Sequence, residues 1–317
     1  MDPDLTTDPI VADVTRNGFV EAVHRGRVIG LDVDGKPTVS VGPVDEPVLL
    51  RSAAKPLQAV GMLRAGLDLD GADLAIACAS HDGTPTHIGI VDRVLARAAL
   101  GRDALATTPM LPLEPEASVP RPGGSGPTPV HHNCSGKHAA MLKTCVVNGW
   151  PTDGYLDPAH PVQEAILAAV ADLAGEPIAH VAVDGCGAPI MAVSLPGLAR
   201  AFARLGLAEP GTPEQRAAAA MRAHPEVVGG DRRDVTQLMR AVPDLIAKDG
   251  AEGCFVAAAA DGRAVAVKVA DGAMRATIPV LVAALRGLEV DGAGLDALAE
   301  TPVLGHGAPV GANRHRF

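Results

Sequence analysis

Aromatic residues are scarce in this chain of 317 residues: they make up 2%, with one Trp, one Tyr and four Phe. The core must therefore be built from aliphatic side chains, and the scarcity argues against the stacked aromatic platforms that bind single-stranded nucleic acid. Basic residues are also in the minority, since 27 Lys and Arg face 37 Asp and Glu, which gives a formal net charge of −10. This balance argues against a nucleic-acid partner and against binding to anionic membranes.

No apolar run approaches the ~18–20 residues that a membrane-spanning helix needs. Residues 1–8 are acidic, whereas a secretory signal would be basic and then apolar. Five cysteines, an odd number spread along the chain, do not form a disulfide framework. The sequence therefore predicts a cytoplasmic protein with reduced thiols and no membrane partner.

Hydrophobic patterning predicts strands towards both ends of the chain and helices in its middle. Residues 11–41 alternate like antiparallel strands, and residues 253–270 read as a second hairpin around Asp261-Gly262. Helical spacing is found at about 57–66, 85–100, 138–148, 161–174, 197–205, 213–223 and 274–286, with a strand at 178–184. The terminal strands are expected to meet in one antiparallel sheet, which makes the fold class α+β.

The expected domain organisation is simple. A tail at 1–13 precedes a single domain at 14–310, and a second tail occupies 311–317. The middle of the domain, at about 85–245, is expected to be mainly helical. Residues 107–129 hold many Pro and Gly and form a long loop, and such loops in compact domains are usually linkers or covers over a site.

Ser52-Ala-Ala-Lys55 is a candidate pair of nucleophile and base. On a helical turn, positions i and i+3 face the same way, so that the lysine amine can reach the serine hydroxyl. A partly buried lysine loses its proton more readily and can then activate the serine. The motif is common by chance, and Pro56 biases Lys55 away from helical dihedral angles, so a surface turn before a helix is the simpler interpretation.

A second serine, Ser80, is followed by His81 and Asp82 at the end of an apolar segment. Segment ends often present reactive groups, although capping of the next helix by Asp82 or Thr84 is the simpler interpretation. Lys268 lies on a strand face that otherwise carries alanines, so it points either to solvent or into the space that these small residues leave. In the second case Ser80 and Lys268 would form another serine–lysine pair.

Reactive side chains are densest at residues 131–138, directly after the long loop. This stretch holds Cys134 and Lys137, and a further thiol, Cys186, stands between two glycines 52 residues after Cys134. Cysteines in apolar segments are usually inert packing, but Cys186 has little apolar sequence around it. Neither thiol belongs to a C-x-x-C pair, yet two thiolates with a third N or O donor suit an open tetrahedral zinc site.

Together these motifs resemble the Rhizobium-type, thermolabile L-asparaginase II family, from about Val14 to about Arg286. The matching segments are 21–26 (EAVHRG), 51–58 (RSAAKPLQ), 78–83 (CASHDG), 131–138 (HHNCSGKH) and 183–189 (VDGCGAP). The resemblance implies a fold similar to serine β-lactamases and glutaminases, a homodimer, and hydrolysis of L-asparagine to L-aspartate and ammonia. The catalytic pairs that it implies are Ser52 with Lys55 and Ser80 with Lys268, and the zinc ligands are Cys134, Lys137 and Cys186.

The same resemblance suggests residues around the substrate. These are His24, Arg25, Arg51, His81, Asp82, His132, Asp184 and Gly187. The charged members are also suited to structural ion pairs, and the glycine to a close backbone approach. The zinc is expected to hold the 131–138 loop and to help orient the substrate rather than to generate hydroxide.

Two other classes of function remain open from the residues alone. A β-lactamase or penicillin-binding-like acyl hydrolase would also use Ser52 and Lys55, although the sequence has no recognisable Ser-Asp-Asn or Lys-Thr-Gly element. A zinc- or thiol-dependent binding protein would use Cys134 and Cys186, and its serine–lysine pairs would be incidental. Hydrolysis of a chromogenic cephalosporin and release of ammonia from asparagine discriminate among these functions.

Overall fold

A computed structural model describes residues 7–113 and 126–317, and its largest element is an antiparallel sheet with strands from both ends of the chain. The strands of the described residues are β1 (Ile10–Arg16), β2 (Phe19–Leu31), β3 (Pro37–Val41), β4 (Val48–Leu49), β5 (His180–Val183), β6 (Pro189–Val193), β7 (Ile246–Gly250), β8 (Cys254–Ala258), β9 (Ala264–Val269), β10 (Glu300–Gly305) and β11 (Ala308–His315). The large sheet has the order β10-β11-β1-β2-β9-β8-β7, with β3 also paired to β2. A small second sheet has the order β4-β6-β5.

Helices fill the middle of the chain and also cover the sheet. Within the described ranges they are α1 (Lys55–Arg64), α2 (Gly71–Ala75), α3 (Pro85–Arg97), α4 (Ser135–Asn148), α5 (Pro161–Ala174), α6 (Leu195–Leu207), α7 (Pro213–Ala223), α8 (Pro225–Val228), α9 (Asp234–Ala241), α10 (Thr277–Gly287) and α11 (Leu295–Leu298). Several begin with proline at the first helical position, preceded by a capping side chain such as Thr84 or Thr212. Proline costs little there because the N–H that it lacks would have no helical partner.

Two helices lie inside the protein rather than on its surface. Residues 55–63 of α1 and residues 135–145 of α4 are all buried. Helices α6 and α10 pack on the large sheet through β8 and β9. The side chains at the start of α1 and α4 are therefore held in the interior, and these starts carry Lys55 and Lys137. The core around them is aliphatic, with Phe202 and Phe255 among its few large aromatic residues.

The predicted α+β class is confirmed, with N- and C-terminal strands in one antiparallel sheet. The sequence patterning missed β4, β6, β7, β10 and β11. Strands β1 and β11 run into the residues expected as tails at 1–13 and 311–317, so parts of both segments belong to the sheet. The expected helical middle holds α3 to α9 together with the short strands β5 and β6. No helix in the described part of the chain is long and apolar enough to cross a membrane.

Candidate active site

Ser52 lies in the 3-10 turn Arg51–Ala54 that leads into α1. The preceding residue, Arg51, has a φ of +49°, a left-handed conformation that is strained for a residue with a long side chain. The amide N–H groups of Arg51 and Ser52 have no acceptor within 7–113 and 126–317, as is usual for the first amides of a helical segment. Strain and free N–H donors beside a serine hydroxyl are features of sites that stabilise an oxyanion.

The amine of Lys55 reaches Ser80 rather than Ser52. Its Nζ lies 2.9 Å from Ser80 Oγ, 2.7 Å from the Ala79 carbonyl oxygen and 3.4 Å from the Asn133 carbonyl oxygen. Three acceptors match the three N–H donors of an ammonium group, which explains how a lysine with 1% exposure is accommodated. The serine–lysine pair that the structure forms therefore joins the first predicted lysine to the second predicted serine.

Lys268, which was expected to serve Ser80, has other partners. Its amine donates to the carbonyl oxygens of Glu252 and Val269, the latter at 2.9 Å. Among the described residues no hydrogen bond joins Lys268 to Ser80. The alternation of β9 correctly separates Lys268 from the buried valines, but it carries no information on which loop covers that face. The loop there is the β7–β8 turn, which contains Glu252.

Lys248 on β7 is a buried lysine that the sequence analysis missed. Its amine donates to the Asp249 carbonyl oxygen at 2.7 Å and pairs with the Asp249 carboxylate. Burial lowers the pKa of Lys248 to about 8; Asp249 opposes this shift, and repulsion from the nearby Lys55 adds to it. The sequence signal that could have indicated a functional role for Lys248 is the charged pair inside the run Ile246–Gly250, because buried charges in a strand are rare without a role.

Strand β7 lies directly against the turn that carries Ser52. A Cβ atom added to Gly250 would lie 2.8 Å from the Leu50 carbonyl oxygen and 3.1 Å from the Ala53 nitrogen. Both neighbours are backbone atoms, which cannot move aside as a flexible side chain would. Glycine at position 250 therefore allows the strand and the Ser52 turn to approach closely.

His81 and Asp82 are held by groups of the protein itself. His81 Nε2 lies 2.9 Å from Ser135 Oγ, and its Nδ1 accepts from the Gly83 N–H at 3.1 Å. Burial holds the pKa of His81 well below its usual value, so the ring is neutral and links the Ser80 segment to the start of α4. Asp82 pairs with Arg233, whose Nη1 lies 3.2 Å from the carboxylate.

His24 and Arg25 also have partners within the protein. His24 Nδ1 lies 2.7 Å from an oxygen of Asp271, and Arg275 Nε lies 3.1 Å from His24 Nε2. Arg25 donates to the Asp8 carbonyl oxygen at 2.7 Å. These contacts match the alternative named for both residues, a structural interaction, and their contact with a substrate stays a prediction.

Cys134, Asp184 and Cys186 could hold a metal ion. Their ligand atoms all lie within 4.8 Å of one another, and Lys137 Nζ lies 3.3 Å from Cys186 Sγ. A hydrogen bond with Cys186 lowers the pKa of Cys134 well below its usual value, while the same bond raises the pKa of Cys186. The bond therefore favours the thiolate form of Cys134 over that of Cys186, and thiolate and carboxylate donors fit the preferences of zinc. Asp184 was predicted at the substrate, not in this cluster.

The turn between β5 and β6 fixes Cys186 in this cluster. Gly187 has a φ of +87°, and its N–H donates to the Asp184 carbonyl oxygen at 2.8 Å. The left-handed conformation explains the glycine without a ligand. On the other side of the cluster, His132 Nδ1 accepts from the Cys134 N–H at 3.1 Å and orients the thiol-bearing residue.

Arg51 connects the thiol cluster to the serines. Its Nε lies 2.8 Å from Asp184 Oδ1, and the other oxygen of Asp184 lies 3.9 Å from Cys186 Sγ. On the opposite side, Asn133, whose carbonyl oxygen accepts from Lys55, directly precedes Cys134. The serine–lysine residues and the thiol cluster, which are far apart in the sequence, therefore belong to one continuous site.

Comparisons with known proteins give one family match and several similar solved structures. A family model described as L-asparaginase II matches residues 12–315. No curated protein shows a significant match. The chain is similar to a solved β-lactamase from Mycobacterium bovis, with 16% identity over 83% of this chain and 94% of the other, at a TM-score of 0.46. It is also similar to a simvastatin synthase mutant from Aspergillus terreus (13% identity, 84% and 89% coverage, TM-score 0.41) and a β-lactamase from Desulfarculus baarsii (19%, 84% and 91%, 0.40).

Proposed function

Because the chain belongs to the L-asparaginase II family, we propose that it is an amidohydrolase that converts L-asparagine to L-aspartate and ammonia. The observation that carries the proposal is the buried hydrogen bond between Lys55 Nζ and Ser80 Oγ, beside the strained turn of Ser52. A serine with free amide donors and a proton-transferring pair are the parts that acyl transfer needs.

In the first half of the proposed reaction, Ser52 Oγ attacks the side-chain amide carbon of asparagine. In the form of the enzyme with a neutral Lys55 amine, the Ser52 proton passes to that amine through the Ser80 hydroxyl, and the N–H groups at the Ser52 turn receive the oxyanion. Lys55 then returns the proton through the Ser80 hydroxyl to the amide nitrogen, which leaves as ammonia. The product is an ester between Ser52 and the aspartyl group.

In the second half, water attacks the ester carbonyl and gives its proton to Lys55. Collapse of the tetrahedral intermediate returns a proton to Ser52 Oγ and releases L-aspartate. Burial lowers the pKa of Lys248, a second buried lysine near Lys55, to about 8. Lys268 stays a candidate for the same proton transfers, as the family resemblance suggests.

Recognition of the substrate backbone is assigned to the charges between Ser52 and the thiol cluster. Arg51 offers a guanidinium for the α-carboxylate, and Asp184 offers a carboxylate for the α-ammonium group. The remaining candidates are His24, Arg25, His81, Asp82, His132 and Gly187. Of these, His81 and His132 are the best placed to act indirectly, because each orients a segment that borders the site.

Zinc is the proposed metal of the Cys134, Lys137 and Cys186 cluster. When bound, it would supply a fixed positive charge, which favours anionic groups of the substrate nearby. Burial opposes the charge of the Lys137 amine, but the two thiols and Asp184 outweigh burial and raise its pKa. A proton must therefore leave Lys137 before this amine can bind metal, whereas Asp184 is available as an alternative oxygen ligand.

A coupled assay of ammonia release from L-asparagine, with L-glutamine as the competing substrate, tests the proposed function. The expected result is turnover of asparagine with little or no turnover of glutamine. Ser52→Ala is expected to abolish turnover, and so is Ser80→Ala if it relays the proton. Appreciable activity in Ser52→Ala together with none in Ser80→Ala would make Ser80 the nucleophile.

One observation favours a second candidate, a β-lactam acyl hydrolase. Strand β7, which carries Lys248, lies beside the Ser52 turn, and Lys55 contacts Ser80, so two serines and two buried lysines lie close together, an arrangement that also suits acyl transfer from a β-lactam. Hydrolysis of a chromogenic cephalosporin at a rate similar to that of asparagine would favour this candidate.

Assembly and location complete the proposal. The family resemblance implies a homodimer, the sequence itself predicts a cytoplasmic protein, and the acidic chain fits a small polar substrate better than a polyanion. Sedimentation equilibrium of the full chain at micromolar concentration measures the assembly. A monomer throughout that range would contradict the dimer and leave the reaction chemistry untouched.

A further inference from the structure

One guanidinium connects the two segments that carry Ser80 and Lys248. Arg233, the residue that precedes α9, places Nη1 3.2 Å from Asp82 Oδ1 and Nη2 2.6 Å from Asp249 Oδ2. Asp82 lies two residues after Ser80, and Asp249 directly follows Lys248. A single side chain therefore spans the distance between the proton-relay serine and the strand with the second buried lysine.

The loop before α9 follows the Ser80 segment closely. The Ser80 N–H donates to the Val228 carbonyl oxygen at 2.9 Å, and the Asp82 N–H donates to the Gly229 carbonyl oxygen at 2.9 Å. A Cβ added to Gly230 would lie 2.0 Å from Asp82 Oδ2, so the carboxylate packs on bare backbone there. The Ser80 segment is thus attached to this loop, and Arg233 sets the distance from the loop to β7.

Arg233 and Lys248 both pair with the carboxylate of Asp249. One oxygen of Asp249 pairs with Lys248 and the other with Arg233. The other titratable groups that act on Lys248, or on the carboxylates of this network, are Lys55 on α1, Cys78 after α2, Cys254 on β8, and Asp82 and Asp234 on either side of Arg233. A guanidinium that competes for the same carboxylate and adds a nearby positive charge favours the neutral Lys248 amine.

We propose that Arg233 is a positioning residue of the serine–lysine site, which holds the Ser80 segment in register with β7 and sets the share of the Asp249 carboxylate that Lys248 receives. The link to catalysis rests on the proposed function. The bridge itself does not depend on the substrate.

Arg64 provides a matched control for substitutions of Arg233. At the far end of α1 it also bridges two carboxylates from different helices, with Nη1 2.8 Å from Asp172 and Nη2 2.5 Å from Glu214. Its side chain is 37% exposed against 33% for Arg233. The variants to compare are R233Q, R233K and R64Q.

Three measurements on each variant separate positioning from plain stability. The first is the titration of the Lys248 side chain by NMR with ¹³C-labelled lysine, its resonance identified by its loss in Lys248→Met. The second is the pH dependence of kcat/KM for L-asparagine, and the third is the thermal unfolding midpoint.

R233Q is expected to move the Lys248 titration, and the limb of the pH profile that follows it, upward by about one pH unit. R233K keeps the charge but not the two-pronged bridge, so the titration stays close to that of the wild type while kcat falls at an unchanged KM. R64Q is expected to lower the unfolding midpoint and leave the Lys248 titration and the pH profile in place.

If the Lys248 side chain titrates at the same pH in the wild type and in R233Q, the proposal is overturned, whatever the change in unfolding midpoint. If R233Q does not fold, R233K decides: a lowered kcat at unchanged KM supports positioning, and an unchanged kcat overturns it. If the wild-type chain releases no ammonia from asparagine, the proposed function has failed, and the NMR titration of R233Q still decides the bridge.

Discussion

The amine that contacts the Ser80 hydroxyl belongs to Lys55, which the Ser-x-x-Lys motif assigns to Ser52. Lys55 is three residues from Ser52, yet its Nζ donates to Ser80 Oγ and to two carbonyl oxygens. A buried ammonium needs all of its donors satisfied, and the Ser80 segment supplies more acceptors than the Ser52 hydroxyl alone. Spacing along a helix thus predicts Ser52 as the partner of Lys55, whereas the hydrogen bond in the structure joins Lys55 to Ser80.

Lys55→Met is expected to lower kcat by about 100- to 10,000-fold, the usual range for loss of a positioned proton carrier. Lys268→Met is expected to lower kcat by less than about tenfold. The amine of Lys268 donates to the Glu252 and Val269 carbonyl oxygens and not to a serine. Steady-state kinetics of both variants check this, with circular dichroism as the control for folding. A larger loss in Lys268→Met would restore the pairing that the family resemblance implies.

At the scale of elements, the site depends on β7, a strand whose residues are all buried. It pairs with β8 on one side and lies against the Ser52 turn on the other, so it carries Lys248 into the interior. The sequence patterning missed this strand because Lys248 and Asp249 interrupt its apolar run. Their mutual ion pair, together with Arg233, is what permits burial.

Gly250→Ala is expected to push β7 away from the Ser52 turn, because the added Cβ would meet backbone atoms at 2.8 Å and 3.1 Å. We expect kcat to fall and the unfolding free energy to drop by about 1–3 kcal/mol, as in overpacked cores. Gly89→Ala in α3 is the matched control, since nothing lies within 4 Å of its added Cβ. That change is expected to stabilise the helix by about 0.5–1 kcal/mol, and activity unchanged in Gly250→Ala would contradict the proposed role of close approach.

A metal in the thiol cluster would join the start of α4 to the β5–β6 turn. Zinc is therefore expected to raise the unfolding midpoint of the wild-type chain, by mass action on the folded state. Cys186→Ser is expected to lose most of this increase, while Cys145→Ser, a buried thiol outside the cluster, should retain it. Thermal unfolding with and without zinc and a chelator measures both, and equal increases in the two variants would place the metal elsewhere.

For the whole molecule, buried histidines make stability depend on pH. Burial lowers the pKa of His81 well below 6.5 and also lowers that of His87. As the pH falls through 6.5, the unfolded chain takes up protons on these rings more readily than the folded chain, so the stability that they contribute is present above that pH and is lost as the pH falls. For His81 alone the loss approaches about 1.4 kcal/mol per pH unit.

The free energy of unfolding in urea is therefore expected to be lower at pH 5 than at pH 7. His81→Gln keeps a donor for Ser135 and an acceptor for the Gly83 N–H but removes the titration. Its unfolding free energy should fall less steeply between these pH values than that of the wild type. Parallel pH dependences of the two proteins would show that His81 is not a source of the effect.

The sequence by itself determined the parts that depend on local pattern. Strand patterns specified β1, β2, β3, β5, β8 and β9, helical spacing specified α1, α3 to α7 and α10, and the scarcity of aromatics specified an aliphatic core. The motif residues themselves, from Ser52 to Cys186, were also recognisable, because each motif is short and contiguous. Periodicity specifies which face of an element is buried, and it does so from neighbours within one or two turns.

Only the tertiary structure decided which of these residues meet. Lys55 with Ser80, Arg51 with Asp184, and Arg233 between two carboxylates are contacts between residues 16 to 151 positions apart in the sequence. Such contacts depend on how α1, α4 and β7 pack around one another, and on which carbonyl oxygens and carboxylates remain to satisfy buried cations. The pattern of a single segment contains neither, and therefore the chemistry of the site was decided by packing between segments.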